Sequence, residues 1–598
     1  MATNIGIDFG STYSMFSSYD EIDDTVNGIQ AENGSIYVPS VACINKLGRL
    51  VTGEEAKRAI LRNSSRVPFR AFKMLLHELD HEKVKRYGYL EKNPLEVSSA
   101  FLKKYLDIAA QKQGVQQFDS AVICVPEHWT SSCVSMSGRA VLLNICNQFQ
   151  TNEGKPLLKK LRVVTEPVAA TAYYAYNYGK HHKKSFEGKV IVVDYGGGTL
   201  DVTLTSVTAR TGPNSSSTME IDTIFRDGVG ENHNDGQIGD AGLAYMEEVT
   251  KMALAAAGFP DPELDGDFML LKDELESALM SNTQNISNRI KTKYQLGMKK
   301  MAMDQEEFTS TTYGDYDCTI TFTYAMLYNA FQKLIRPTLD KYLGRFKKLC
   351  DKKGYDTKLA IVGGFGQFPL VQKAVWEIFK CSDTALDIAA SAEGGRQDAI
   401  SFGAALIAAG KISVKISSKY SMGLLRTRKG QMTFRFALRC GEGVDCSKVY
   451  PLCNKEDADK AEKPWEPILY TESSDPNLAP WIFAVGDDSE DLTHAIRLTP
   501  LPEISRKLAT EVRNAAGLYR AEMKEKGYNH VSNAYFFGFS MNESDIYSLH
   551  IFPTHPGTRQ RDEKPLVTLS LGEFPAIFGP NVSFDPGPRN ENLLTYIE

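Results

Sequence analysis

Apolar residues fall in short runs broken by acids, glycines and prolines, the texture of strands alternating with helices. The first such run, Asn4-Ile5-Gly6-Ile7-Asp8-Phe9-Gly10-Ser11-Thr12-Tyr13-Ser14, passes from an apolar stretch to an acid and then to a glycine and hydroxyl residues. It reads as a buried strand entering a tight turn. The same order of chemistry returns at Val190-Ile191-Val192-Val193-Asp194-Tyr195-Gly196-Gly197-Gly198-Thr199-Leu200-Asp201-Val202. Between the two copies lie a strand at Ser120 to Pro126, stopped by proline, and a shorter one at Leu161 to Thr165, followed by Glu166-Pro167. Val168 to Tyr174 is small and apolar and suits a helix packed closely on a neighbour. Leu359 to Gly366 is a strand ending on glycines, and Pro369 opens a helix with Leu370, Val371, Ala374, Val375 and Ile378 on its apolar face. This alternation predicts a largely parallel α/β architecture, and the repeated acid-glycine turn suggests a duplicated α/β lobe with a site between its halves.

Thr208 to Ser217 and Lys180 to Gly188 read as surface loops, the second carrying His181-His182-Lys183-Lys184 as a solvated tip. Beyond Lys411 the texture changes. Residues 420 to 450 alternate like strands, and a proline- and acid-rich stretch runs from Asn454 to Pro480. An amphipathic helix follows, with Pro502 at its entrance, Ile504, Leu508, Val512, Ala516, Tyr519 and Met523 on one face, and Gly527 at its exit. Strand-like segments resume at Ala534 to Phe539, Tyr547 to Phe552 and Leu566 to Leu571, so the tail reads as a separate α+β unit.

A chain of 598 residues is several times the roughly 100–200 of one domain, which supports this division. With 68 Lys and Arg against 74 Asp and Glu, the formal charge of −6 gives no global field for nucleic acid or anionic lipid. No run approaches the ~18 apolar residues of a spanning helix, and the N-terminus lacks the basic and apolar segments of a secretion signal. The expectation is a cytoplasmic protein that binds neither membrane nor nucleic acid. Ten cysteines over this length do not form a disulfide scaffold, and Cys440, Cys446 and Cys453 lack the spacing of a metal site.

Glycine turns let backbone amides approach a polyphosphate, and both acid-glycine loops offer such turns. Asp8 and Asp194 at the strand ends would face a divalent cation, for which one or two carboxylates suffice when the ion keeps its waters. Asp201, just beyond the second loop, could orient an attacking water. The expected ligand is a magnesium nucleotide in a cleft.

Asp8 to Ser14 (DFGSTYS), Thr165 to Tyr173 (TEPVAATAY), Val193 to Val202 (VDYGGGTLDV) and Ile361 to Pro369 (IVGGFGQFP) together resemble, in order, the motifs of the heat-shock protein 70 chaperones of the actin and sugar-kinase ATPase superfamily. The resemblance covers about residues 4 to 412. It implies a duplicated, ribonuclease H-like ATPase over 1–412, with lobe I at about 1–188, lobe II at about 189–385 and a return to lobe I at about 386–412, followed by a divergent α+β domain over 413–598. It further implies that Gly10, Ser11, Thr12 and Tyr13, with Gly196, Gly197 and Gly198, contact phosphates, and that Gly239 lies near the phosphate path. Lys73, in a segment like the family's short lysine-bearing helix, would position the γ-phosphate and attacking water. Glu166, Asp194, Thr199 and Asp201 would complete the hydrolytic and magnesium-water shell. Gly363, Gly364 and Phe365 fall on the nucleoside side, where Phe365 and Gln367 replace the family's serine and arginine. Tyr294 stands where an arginine would cover the base, and Pro126 and Arg139 lie near the family's proline switch and relay arginine.

The resemblance therefore implies a slow, partner-stimulated ATPase using ATP/ADP and Mg²⁺. It would control a protein client, or a dedicated protein partner, through the C-terminal domain, with a J-domain-type co-chaperone and a nucleotide exchange factor as further partners. The linker Lys411 to Ser418 lacks the family's acidic, leucine-rich character, which separates the tail from the usual peptide clamp. Two other readings of the same cleft are an actin-like filament or scaffold protein and a small-molecule kinase. His77-Glu78-Leu79-Asp80-His81 matches the H-E-x-x-H metalloprotease pattern, but no third ligand is evident and exposed polar residues explain it.

Overall fold

A computed structural model describes residues 3–572 apart from 62–64, 77–83, 86, 91, 128–137, 212–216, 230–240, 265, 282, 296–297, 314–317, 381–397, 419, 429–430, 440–441, 453–463, 470–480, 487–501 and 543–545. His77 to His81, Gly239, Cys440, Cys453 and most of Asn454 to Pro480 therefore lie outside the described residues, as does the side chain of Tyr294. The described residues up to Val414 form one compact unit and those from Lys415 onward form a second.

The first unit is mixed α/β. Its N-terminal sheet contains β1 (Asn4–Asp8), β2 (Tyr13–Asp20), β3 (Thr25–Gly28), β4 (Tyr37–Pro39), β5 (Ser120–Val125) and β6 (Leu161–Thr165) in the order β3-β2-β1-β5-β6, with β4 against β2. A second sheet contains β7 (Gly188–Tyr195), β8 (Leu200–Thr211), β9 (Ser217–Val229), β10 (Thr357–Val362) and β11 (Ile412–Val414) in the order β10-β7-β8-β9-β11. The expected largely parallel arrangement is corrected to a mixed one. β1 pairs antiparallel with β2 and parallel with β5, and β7 likewise pairs antiparallel with β8 and parallel with β10. Each acid-glycine segment is thus the turn of a hairpin, which needs only a few residues, whereas the parallel partners arrive through long crossovers.

Of the segment expected as a surface loop at Thr208 to Ser217, residues 212–216 lie outside the described residues and the rest is corrected to strand. Thr208, Ala209, Arg210 and Thr211 continue the ladder against Glu220, Met219, Thr218 and Ser217. These polar residues extend the hairpin. Likewise, the helix Glu166–His182 takes in the first part of Lys180 to Gly188, leaving His181 and His182 exposed on its last turn. Among the described residues no group of three His, Cys, Asp or Glu is placed to hold a metal, and no helix is long and apolar enough to cross a membrane.

The helix Glu166–His182 packs on the helix Ala399–Ala408, and their small residues are the reason they can approach so closely. A Cβ built on Gly403 would lie 1.7 Å from the Ala169 carbonyl oxygen, a backbone atom that cannot swing aside. Ser17 on β2 donates to the Ser401 carbonyl at 2.7 Å, tying this helix to the sheet as well. Val122, Val164, Val192 and Val362, from β5, β6, β7 and β10, share one buried cluster with Ala169, Ala172, Ala404 and Leu406. One core thus joins β7 to β2 and β5, the two neighbours of β1 in its sheet.

In the second unit, β12 (Tyr450–Pro451), β13 (Pro467–Leu469), β14 (Ala534–Met541), β15 (Tyr547–Pro553) and β16 (Val567–Gly572) form an antiparallel sheet of order β12-β14-β15-β16, with β13 also on β14. The amphipathic helix spans Pro502–Glu525 and buries Val512 and Ala516 against Tyr535, Phe537, Leu549 and Ile551 of the sheet. Tyr420–Arg428, Gln431–Leu438 and Trp481–Gly486 make a smaller three-stranded sheet, again antiparallel.

The helix contact gives a paired stability test. Gly403→Ala should lose about 1–3 kcal/mol or more in urea unfolding, because the added methyl overlaps the backbone of Ala169. Gly344→Ala, within the helix Arg336–Lys353 and facing open space, should instead gain about 0.5–1 kcal/mol by removing unfolded-state freedom.

Candidate functional site

The two hairpin turns meet. A Cβ on Gly197 would lie 3.0 Å from Thr12 Oγ1, and one on Gly198 would lie 3.1 Å from Ser11 Oγ and 2.6 Å from Met74 Sδ. Glycine is therefore what lets the second turn approach the first. That turn closes on itself through the Gly196 amide, which donates to the Thr199 carbonyl at 2.9 Å. The helix Gly242–Ala256 starts against it, with Gly242 N–H donating to Gly196 O at 3.2 Å and Leu243 N–H to Gly197 O at 2.7 Å.

Below the turns is a buried charge cluster. Lys73 Nζ donates to Glu166 Oε1 at 2.5 Å, with both side chains less than a tenth exposed. Lys73 sits in the turn after the strand Ser65–Phe69, a single coil in which Leu75 N–H donates to Ala71 O at 3.1 Å. Aromatic packing fixes that turn: the Phe72 ring lies 5.8 Å from Phe9 and 5.3 Å from Phe101. Glu166 is the first residue of its helix and is followed by Pro167, whose missing N–H costs nothing there. Asp8 ends β1, and Asp194 stands directly opposite Asp201 in the β7–β8 ladder, so their side chains leave the same face.

The electrostatics follow from enclosure. Desolvation, and then the charge of Glu166, raise the Asp8 carboxyl to about 7, against a smaller opposing pull from Lys73. Asp194 is raised well above the usual carboxylate range by burial and by repulsion from Glu166, Asp201 and Asp8. Burial alone would lower Lys73, but the carboxylates of Glu166, Asp8 and Asp194 outweigh it and hold the ammonium above its ordinary value. Four acids share one cation, so the cluster is short of positive charge. Asp194 Oδ2, moreover, is buried with no hydrogen-bond partner among the described residues. More carboxyls than one ammonium can balance, an orphaned carboxyl oxygen and close-packed glycine turns fit a hydrated divalent cation carrying a polyphosphate.

Gly363 has φ +79°, and a Cβ there would lie 2.5 Å from both Asp194 Oδ1 and the Tyr195 carbonyl oxygen. It is therefore part of the same centre. Gly364 is exposed, while Phe365 packs at 5.0 Å from Tyr195, 5.1 Å from Tyr245 and 5.8 Å from Phe368. Gln367 Nε2 donates to the Ile361 carbonyl at 3.3 Å and so closes the turn after β10. Arg139 is buried, and Pro126 directly follows β5.

Sequence reasoning missed three long-range contacts in this unit. Lys57 Nζ donates to Tyr13 Oη at 3.3 Å. Arg70, three residues before Lys73, forms an ion pair with Asp273 of the helix Gly266–Ser281. Arg226 of β9 pairs with buried Glu127 at 3.3 Å. Each pair joins residues about 40 to 200 positions apart and carries no local pattern; only the proximity of Arg70 to Lys73 in sequence was a signal.

The Hsp70 protein family model matches residues 4–212. A heat shock protein of Pyricularia oryzae is 25% identical over 70% of this chain and 63% of its own length. The chaperone protein DnaK of Thermosipho africanus is 25% identical over 63% of this chain and 54% of its own. That of Thermotoga petrophila reaches 31%, over 34% of this chain and 30% of its own length. The chain thus spans less than two thirds of the length of each of these relatives. The matched region contains both hairpin turns, the Lys73–Glu166 pair, Asp8, Asp194 and Asp201, and over that region the chain is similar to the heat-shock protein 70 family.

Proposed function

We propose that the chain is a heat-shock-70-like molecular chaperone that binds and hydrolyses ATP and couples the nucleotide state to a protein client. The observation that carries this reading is the buried Lys73–Glu166 pair among Asp8, Asp194 and Asp201, beneath two glycine turns in contact. Similarity to a heat shock protein and to chaperones named DnaK supports the chaperone reading over the filament and small-molecule kinase readings.

In this reading residues 1–412 are a two-lobed actin-like ATPase and 413–598 the client- or partner-binding domain. The amides of Gly10 to Tyr13 and Gly196 to Gly198 bind phosphate oxygens, as glycine turns do for anions. Asp8 and Asp194 hold the magnesium ion through water, and the ion when bound neutralises charge on the phosphates. Lys73 faces the transferring phosphoryl group and is kept in place by Glu166. Asp201 and Thr199 orient the attacking water, and Asp201, within the acidic cluster, receives its proton as the water oxygen bonds to the γ-phosphorus and the bond to the bridging oxygen breaks, releasing ADP. Gly363 and Gly364 border the nucleoside, and Phe365 supports them from the aromatic layer beneath. Gly239 and Tyr294 keep their proposed nucleotide contacts on the family resemblance alone, as do a J-domain-type co-chaperone and an exchange factor. Lobe closure around nucleotide is the state difference that would act on the client.

Phosphate release from ATP in the presence of magnesium tests the hydrolytic role. Lys73→Ala and Asp201→Asn should each lower the turnover rate by roughly 10²-fold or more. Turnover unchanged in both would overturn the assignment. Unfolded polypeptide should raise the wild-type rate.

A second test uses pH. Because the folded pKa of Asp8 is raised from 3.8 to about 7, the ligand-free protein holds a proton there that the unfolded chain has released. Its stability therefore falls as pH rises from about 4 to about 7 and then levels. Cation binding displaces that proton, so Mg-ADP should raise the melting temperature more at pH 8 than at pH 6, and Asp8→Asn should flatten the difference. Equal stabilisation at both pH values in the wild type would remove Asp8 from the cation site.

A further inference from the structure

The C-terminal sheet has two faces of different character. Alternation along β14, β15 and β16 sends Phe537, Phe539, Leu549, Ile551 and Leu569 into the core beneath the helix Pro502–Glu525. The same alternation sends Gly538, His550 and Thr568 to the opposite face, where the registers place them side by side across three strands. Gly538 opens space on that face, since a Cβ there would lie 2.7 Å from the Trp465 ring. Trp465 in turn meets Phe552 edge to face at 5.3 Å.

Arg561 lies over this pair, with its guanidinium carbon 4.5 Å from both ring centroids. It makes no ion pair among the described residues; its side chain donates to the Asp562 carbonyl at 3.2 Å and to no carboxylate. The two rings pack against the guanidinium from the same side and hold the fork still, which lowers the entropy lost when its remaining N–H groups bind a planar anion. His550 completes the wall. Its ring bridges Ser540 at 2.8 Å and Thr568 at 3.2 Å, and burial holds it below its ordinary pKa, so it adds no charge at neutral pH. These groups line a concavity of about 440 Å³, within the range of ligand sites, and Glu563 stands exposed at its rim.

We infer that this face of the C-terminal sheet binds an extended acidic peptide, with one carboxylate on the Arg561 fork and a neighbouring apolar side chain against Trp465 and Phe552. Charge complementarity selects the carboxylate, because Arg561 is a fixed cation without a counter-ion among the described residues. The aromatic floor selects an apolar neighbour over a lone small anion. The site specifies the client-binding half of the proposed function by chemistry and is independent of its hydrolytic half.

The test is fluorescence anisotropy of the full chain, without nucleotide, using two dye-labelled probe peptides. One is Gly-Ser-Phe-Glu-Phe-Ser-Gly with blocked termini, and the other has Gln in place of Glu. The acidic peptide should bind about tenfold more tightly, as expected for a charge-assisted forked pair. Arg561→Gln should abolish that preference, Arg561→Lys should restore part of it, and Glu563→Gln at the exposed rim should strengthen acidic-peptide binding severalfold. Equal affinity for the two peptides would overturn the inference, as would an unchanged preference in Arg561→Gln. Displacement of the acidic peptide by millimolar inorganic phosphate would also overturn it, assigning the fork to phosphate. Should Arg561→Gln lower the melting temperature, Glu563→Gln still decides, because it leaves the aromatic stack intact. With no nucleotide present, a negative result bears on this site and not on ATP hydrolysis.

Discussion

A lysine ammonium held 2.5 Å from a carboxylate in the protein interior is the constraint on which the rest of the first unit depends. Burying such a pair costs several kcal/mol of hydration per ion, and a well-packed apolar pair would often be at least as stable. Here Asp8, Asp194 and Asp201 crowd further carboxyls around the pair, and burial with mutual repulsion raises Asp8 and Asp194 toward their protonated forms. The fold keeps an electrostatically costly arrangement because the surrounding elements leave no alternative geometry. Phe9, Phe72 and Phe101 lock the lysine turn, Pro167 fixes the helix start at Glu166, and hairpin registers align Asp194 with Asp201. Crowded carboxyls and rigidity together are the features that fit the centre to the cation and phosphates proposed for it.

Glycine placement transmits that constraint through the unit. Gly197 and Gly198 bring one turn against the other, Gly363 brings the end of β10 against Asp194, and Gly403 brings two helices into backbone contact. A methyl group would press on the side chains of Thr12, Ser11 and Met74 at the two turns, and on backbone or the Asp194 carboxyl at Gly363 and Gly403. The two sheets can thus present their acid-bearing strand ends at one place without a long loop between them.

The second unit separates its tasks by face. One side of the sheet is ordinary core beneath an amphipathic helix, and the other holds an arginine over two touching aromatic rings, one of them seated against a glycine. Aromatic surfaces immobilise a charged group there without neutralising it, the opposite device from the first unit, where charges constrain one another directly.

The sequence by itself determined the elements whose signals are local. Leu161 to Thr165 is a strand as read, the helix after Glu166 and that from Pro502 start where proline places them, and the strands near 534, 547 and 567 follow from alternation. Motif order marked Glu166, Asp194 and Asp201 as candidates, and resemblance to a lysine-bearing helix marked Lys73; the structure brings the four into one buried cluster. Tertiary structure decided what local pattern cannot encode. Hairpin pairing made the sheets mixed and turned polar Thr208 to Thr211 into strand, because a solvated ladder tolerates polar residues on its edges. Packing put Phe365 into an aromatic layer with Tyr195 and Tyr245, and brought Arg70 to Asp273 and Arg561 to Trp465. Those partners lie tens to hundreds of residues apart, and their meeting is fixed by the shape of the folded core rather than by any repeat along the chain.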